Sequence, residues 1–157
     1  MRPQNPGTEI AFQKIKHFCN YQERCHTEVK QKLYSYGLYP HEVEELMAKL
    51  IEMDLLNEER FAIAFAGGKF RVKNWGKQRI IQALKEKKLS PYCIQIALAQ
   101  IEEEDYHRVF MKLADGKWEQ LKKEKNIFSK KQKLRQHLLY KGFESSRIQH
   151  YLDGHST

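Results

Sequence analysis

Apolar residues recur along this chain at helical spacing, and nowhere in the sustained alternation that half-buried strands require. Thr8 can cap a first helix, where Ile10, Ala11, Lys14, Ile15 and Phe18 recur at helical spacing. A second carries Val29 and Leu33 and stops at Gly37, whose missing Cβ suits the left-handed residue that closes many helices. Pro40 suits the first turn of a third, striped by Val43, Leu46, Met47 and Leu50. Asn57 is a good N-cap for a fourth, and Glu58 and Glu59 follow it, where carboxylates face the positive end of the helix dipole. Phe61, Ala62, Phe65 and Ala66 give that helix its stripe. Gly67-Gly68 lowers helix propensity by about 1 kcal/mol per residue relative to Ala, so a weakening or bend is expected there. Trp75-Gly76 then breaks the pattern, and Ile80, Ala83 and Leu84 open another helix.

The same pattern occurs three times. Val29, Leu33, Gly37, Leu38, Val43 and Met47 are matched 51 positions later by Ile80, Leu84, Lys88, Leu89, Ile94 and Leu98. A further 54 positions on stand Leu134, Leu138, Gly142, Phe143, Ile148 and Leu152. Pro40 is matched by Pro91, with Ser90 as a cap. Each copy reads as an entry helix and two helices joined by a tight turn. The entry helices are expected at about 9–20, 57–72 and 103–124, the third being the longest. The reading is all-α: three tandem three-helix repeats, 8–56, 57–101 and 102–157, forming a short, curved, elongated solenoid because each copy buries little alone. Residues 1–7, with two prolines and a glycine, are expected to be disordered.

Composition sharpens this. With 41% hydrophobic and 31% charged residues among 157, the chain suits a thin helical protein better than one with a thick core. No apolar run is long enough to span a membrane and the N-terminus lacks a signal-peptide core, so the expected location is cytoplasmic. Cys19, Cys25 and Cys93 are an odd number, fitting free thiols. His17, Cys19, Cys25 and His26 lie close together but lack the short ligand spacings that grip zinc, so the cysteines read as small buried hydrophobes. There is no phosphate-binding glycine loop, nucleophile elbow or paired-carboxylate constellation. Neither an enzyme nor a cofactor is expected.

What remains is charge in blocks, within a net +8 that favours a polyanionic partner. Residues 41–59 hold seven acids and one lysine, whereas 67–90 holds eight Lys or Arg and only Glu86. A second basic block runs from Lys117 to Lys141, with nine basic residues against Glu119 and Glu124. The candidate binding residues are Lys69, Arg71, Lys73, Trp75, Lys77, Arg79 and Lys85. Lys69, Arg71 and Lys73 form a basic elbow at the expected helix break. Trp75 beside it is either a base-stacking ring or, more commonly at a helix junction, a core plug. Arg79 and Lys85 fall about 120° apart on the helical wheel and make no single stripe. Residues 76–101 also look like a helix-turn-helix. Its second helix, Pro91 to Leu98, has no basic residue, the reverse of what a major-groove reader needs.

Two stretches in this central region carry a family likeness. Leu55-Leu56-Asn57-Glu58-Glu59-Arg60-Phe61-Ala62 and Lys73-Asn74-Trp75-Gly76-Lys77-Gln78-Arg79-Ile80, followed by Leu84 and Lys87-Lys88-Leu89, resemble the RecX family of bacterial regulators of the RecA recombinase. The resemblance extends from about His17 to Leu152 and departs from the family at Lys88, where glycine is usual. It implies a protein that docks on the RecA–DNA filament and modulates, most often inhibits, RecA ATP turnover and strand exchange in recombination, DNA repair and the SOS response. The alternative is a general basic module gripping DNA phosphates directly. Either would act as a monomer away from membranes.

Overall fold

The computed structural model describes residues 7–155. Apart from Gly7, the segment expected to be disordered lies outside the described residues. Among these, the chain forms nine α-helices and no strand: α1 (Thr8–Tyr21), α2 (His26–Ser35), α3 (Pro40–Glu52), α4 (Glu58–Lys73), α5 (Lys77–Glu86), α6 (Pro91–Ala99), α7 (Glu103–Gln120), α8 (Ile127–Lys141) and α9 (Ser145–Asp153). The fold is an all-α helical repeat.

The local signals act largely as expected. Asn57 Oδ1 accepts the Arg60 N–H at 2.9 Å, and Ser90 Oγ accepts that of Cys93 at 3.2 Å, so both are genuine caps. Pro40 and Pro91 each start their helices, where the missing N–H is harmless. The repeated turn shows most clearly in the backbone. Gly37, Lys88 and Gly142 all take positive φ, at 86°, 64° and 103°. After the latter two, Leu89 N–H bonds Leu84 O and Phe143 N–H bonds Leu138 O, each at 3.1 Å.

Three expectations are corrected. The Gly67-Gly68 pair does not break α4, which runs unbroken from Glu58 to Lys73, so Lys69, Arg71 and Lys73 occupy its last turns rather than an elbow. Packing of Phe61, Ala62, Ala66 and Phe70, all buried, outweighs the glycine penalty of about 1 kcal/mol each. Thr8 is the first helical residue, not the cap, a position held by Gly7. The third entry helix stops at Gln120.

The chain divides into two compact units. One takes the chain up to Ala64 together with Leu84–Ile96, and the other takes Phe65–Ala83 with the chain from Ala97. In the first unit Ile15, Val29, Leu33, Leu38, Val43, Leu46, Leu50 and Leu56 are at most 2% exposed and pack with Ala11, Cys19 and Met47. Each fully buried Leu or Ile contributes about 1.5–3 kcal/mol. The second unit centres on rings: Tyr106 and Phe143 lie 5.3 Å apart, Phe110 and Phe143 5.3 Å, and Phe70 and Tyr106 5.9 Å.

The cysteines fit this packing. Cys19 and Cys25 are buried free thiols and Cys93 is partly buried. Burial pushes the Cys25 thiol up to about 11.

Candidate functional site

Both sequence motifs turn out to be structural joints. In the first unit, Leu56, Phe61 and Ala62 are buried, Asn57 caps α4, and Glu58 accepts the His26 N–H at 3.2 Å. Arg60 reaches Glu23 at 2.7 Å and Asp54 at 3.1 Å. In the second unit, Asn74 takes a left-handed φ of 57° to leave α4. Gly76 then meets the α8–α9 turn, its N–H bonding Lys141 O at 2.7 Å, while Gln78 N–H bonds Gly142 O at 2.8 Å. Lys77 N–H donates to the Tyr106 hydroxyl at 2.9 Å, which itself donates to Glu144 at 2.5 Å. Burial first, and the Glu144 carboxylate second, hold the Tyr106 hydroxyl well above the ordinary tyrosine range.

These joints place the candidate binding residues. Lys69 Nζ stands 5.0 Å from the Trp75 ring centre and the Arg79 guanidinium carbon 4.3 Å from it. Arg79 also lies 4.7 Å from the ring of Tyr140, which is 71% exposed. Lys69, Trp75, Arg79 and Tyr140 therefore form one cation–aromatic ladder. Lys141 adjoins it, its Nζ donating to Lys73 O at 3.2 Å. Trp75 is half-buried, its ring edge-on to Phe65 at 6.5 Å.

The other candidates separate from this ladder. Arg71 folds back along α4, where a Cβ on Gly67 would sit 2.7 Å from its guanidinium, so Gly67 makes room for that side chain. Lys77 Nζ stands 4.6 Å over the Tyr106 ring rather than over Trp75. Lys85 is exposed and belongs to the other compact unit. Tyr140 escaped the sequence reading, which placed Lys141 only as the end of the second basic block. The one available signal was an aromatic residue just before the glycine turn that ends the second basic block.

Among the described residues, Lys69, Arg71, Lys73 and Arg79 form no ion pair with a carboxylate, while they sit at the negative end of α4 or beside it. The α4 dipole accounts for part of that placement. The ladder itself leaves positive charge and aromatic edge at the surface, an arrangement suited to phosphate-bearing or acidic surfaces and without the acid–base or nucleophile pairs of a catalytic site.

The described residues form an all-α helical repeat that carries a cation–aromatic face, and comparison with known proteins narrows the class. Residues 57–98 match the family model described as RecX, second three-helix domain, and residues 103–152 match RecX, third three-helix domain. The chain belongs to the RecX family. It is 32% identical over 118 residues to the regulatory protein RecX of Clostridium perfringens strain 13, covering 74% of this chain and 55% of that one. To the regulatory protein RecX of Clostridioides difficile it is 28% identical over 145 residues, covering 91% and 66%. The chain thus spans about half the length of its Clostridium perfringens relatives. The crystal structure of RecX from Lactobacillus salivarius shares the fold, with a TM-score of 0.83 at 22% identity over 94% of this chain and 95% of that one. No described helix is long and apolar enough to cross a membrane.

Proposed function

We propose that this protein regulates the RecA–DNA filament, docking on it through the ladder of Lys69, Trp75, Arg79 and Tyr140 with Arg71, Lys73 and Lys77 of the same unit as further cations, while Lys85 on the other unit acts separately. The observation that carries the reading is a run of cations without carboxylate partners around a half-buried tryptophan, in a chain of the RecX family. Bound along the filament, the protein bridges neighbouring protomers and lowers ATP turnover and strand exchange, and so acts in recombination, DNA repair and the SOS response. It acts in the cytoplasm, as a monomer and without catalysis of its own.

The test is RecA ATP hydrolysis on single-stranded DNA, titrated with this protein at two salt concentrations. Inhibition at substoichiometric ratios is expected, because one bound molecule affects several protomers. Reversing the exposed Arg71 and Lys73 to Glu should raise the half-inhibitory concentration about tenfold or more while leaving stability within about 0.5 kcal/mol. Reversing Lys122 and Lys123 should do less. Inhibition only when the protein saturates bare DNA would mean competition for phosphates, the general nucleic-acid reading, and would remove filament docking.

A further inference from the structure

The first compact unit carries a second cation–aromatic surface that shares no residue with the ladder. Lys14, His17, Phe18 and Tyr21 follow one another at i, i+3, i+4 and i+7 on α1, beside its buried stripe of Ala11, Ile15 and Cys19. Lys32 and Tyr36, one turn apart at the end of α2, line the other wall, and Arg24 from the α1–α2 connection completes it. Between them is a groove of about 620 Å³, within the size range of small-ligand sites.

Its chemistry is one-sided. The Arg24 guanidinium carbon lies 3.7 Å over the Phe18 ring and is steadied there by a 3.0 Å hydrogen bond from Nε to Phe18 O. Lys32 Nζ stands 5.5 Å from the same ring, and Lys14 Nζ 5.6 Å from that of Tyr36. No carboxylate lines the groove, and Glu23, next to Arg24 in sequence, is engaged by Arg60. Tyr21 leaves 77% of its surface exposed at the rim. Three cations are thus held together with no counter-charge, between rings whose faces or edges reach solvent.

We infer that this groove binds single-stranded nucleic acid, with phosphates on Lys14, Arg24 and Lys32 and a base stacked on Tyr21. Rings and cations alternate across a few ångströms, matching a ligand in which bases and phosphates alternate. A duplex hides its base faces, and an acidic peptide would engage the cations but leave the rings unused. The inference does not depend on filament docking, because binding here is to nucleic acid alone.

The test uses the full chain and fluorescence anisotropy with a labelled oligothymidylate of about 15 nucleotides, an abasic oligomer of equal length, and polyglutamate of equal charge. The thymidylate should bind about tenfold more tightly than the abasic oligomer. Tyr21→Ala, an exposed position whose folding is checked by circular dichroism, should abolish that difference and leave abasic binding unchanged. Lys14→Gln with Lys32→Gln should weaken both oligomers and flatten the dependence on salt. Arg71→Glu with Lys73→Glu should keep the difference between thymidylate and abasic strands. Equal binding of the two oligomers, or no effect of Tyr21→Ala, overturns the assignment. Tighter binding of polyglutamate that depends on Lys14 and Lys32 also overturns it, in favour of an acidic peptide.

Discussion

Adding one methyl group at Gly76 should wedge the α4–α5 connection away from the α8–α9 turn. A Cβ built there lies 2.3 Å from Gly142 C, 2.4 Å from Gly142 O and 2.4 Å from Phe143 N, where ordinary contacts begin near 3.4 Å. All three are backbone atoms, so the strain is not relieved by a side-chain rotation, and the segments must part by about 1 Å. That movement would stretch the 2.7 Å bond from Gly76 N–H to Lys141 O and the 2.8 Å bond from Gln78 N–H to Gly142 O beyond hydrogen-bonding range. Overpacking costs about 1–3 kcal/mol, and each lost hydrogen bond about 1 kcal/mol. The lower chain entropy of unfolded Ala returns about 0.4–1 kcal/mol. The net expectation for Gly76→Ala is a loss of about 3 kcal/mol, or roughly 10 °C in Tm at this size. Thermal and urea unfolding followed by circular dichroism measure it. Gly116→Ala is the control: that glycine is exposed within α7 with nothing near its would-be Cβ, so it should gain about 0.5–1 kcal/mol. If Gly76→Ala melts at or above the unmodified protein, the backbone contact with Gly142 is not there.

Lys88→Gly should stabilise by roughly 1 kcal/mol, because Lys88 holds a φ of 64° that penalises a Cβ, while Gly37→Val should destabilise, its φ being 86°; a lower Tm for Lys88→Gly would contradict the left-handed turn. Tyr106→Phe leaves Lys77 N–H without its acceptor and should cost about 1–3 kcal/mol in urea unfolding. The Tyr106 hydroxyl is raised in the folded state, so its contribution is complete below the unfolded value of about 10 and is lost as pH climbs above it. Stability measured from about pH 9 to 11 should therefore fall more steeply in the unmodified protein than in Tyr106→Phe, and parallel curves would sink that assignment.

The repeat was legible because its signal is periodic and local. Of the 18 matched positions, all but Leu98 and the three turn residues are buried apolar side chains, and those three turn residues share a left-handed backbone. Asn57 and Ser90 were legible as caps because a cap acts within three residues. The course of α4 through Gly67-Gly68 was not. Propensity registers two weak residues, whereas the outcome rests on the packing of Phe61, Ala62, Ala66 and Phe70 and on Arg71 lying in the space Gly67 leaves. The cation–aromatic arrangement was half legible: Lys69, Trp75 and Arg79 are near in sequence, but Tyr140 joins Arg79 across 61 positions through a contact no local pattern encodes. The α1–α2 groove escaped because Phe18 reads as core spacing and Tyr21 as the end of a helix.

The start of α5 has a consequence for the order in which the protein can be finished. The backbone N–H groups of residues 76, 77 and 78 find their acceptors on Lys141, Tyr106 and Gly142, all made later than the helix they complete. Synthesis runs from the N-terminus, so α5 emerges with its first turn bare and stays so until residues near 142 have followed. The first unit's core helices α1, α2 and α3 have no such wait, since their packed residues are complete by Leu56. The start of α5 is therefore completed only after α8 has been made, well after its own residues have left the ribosome.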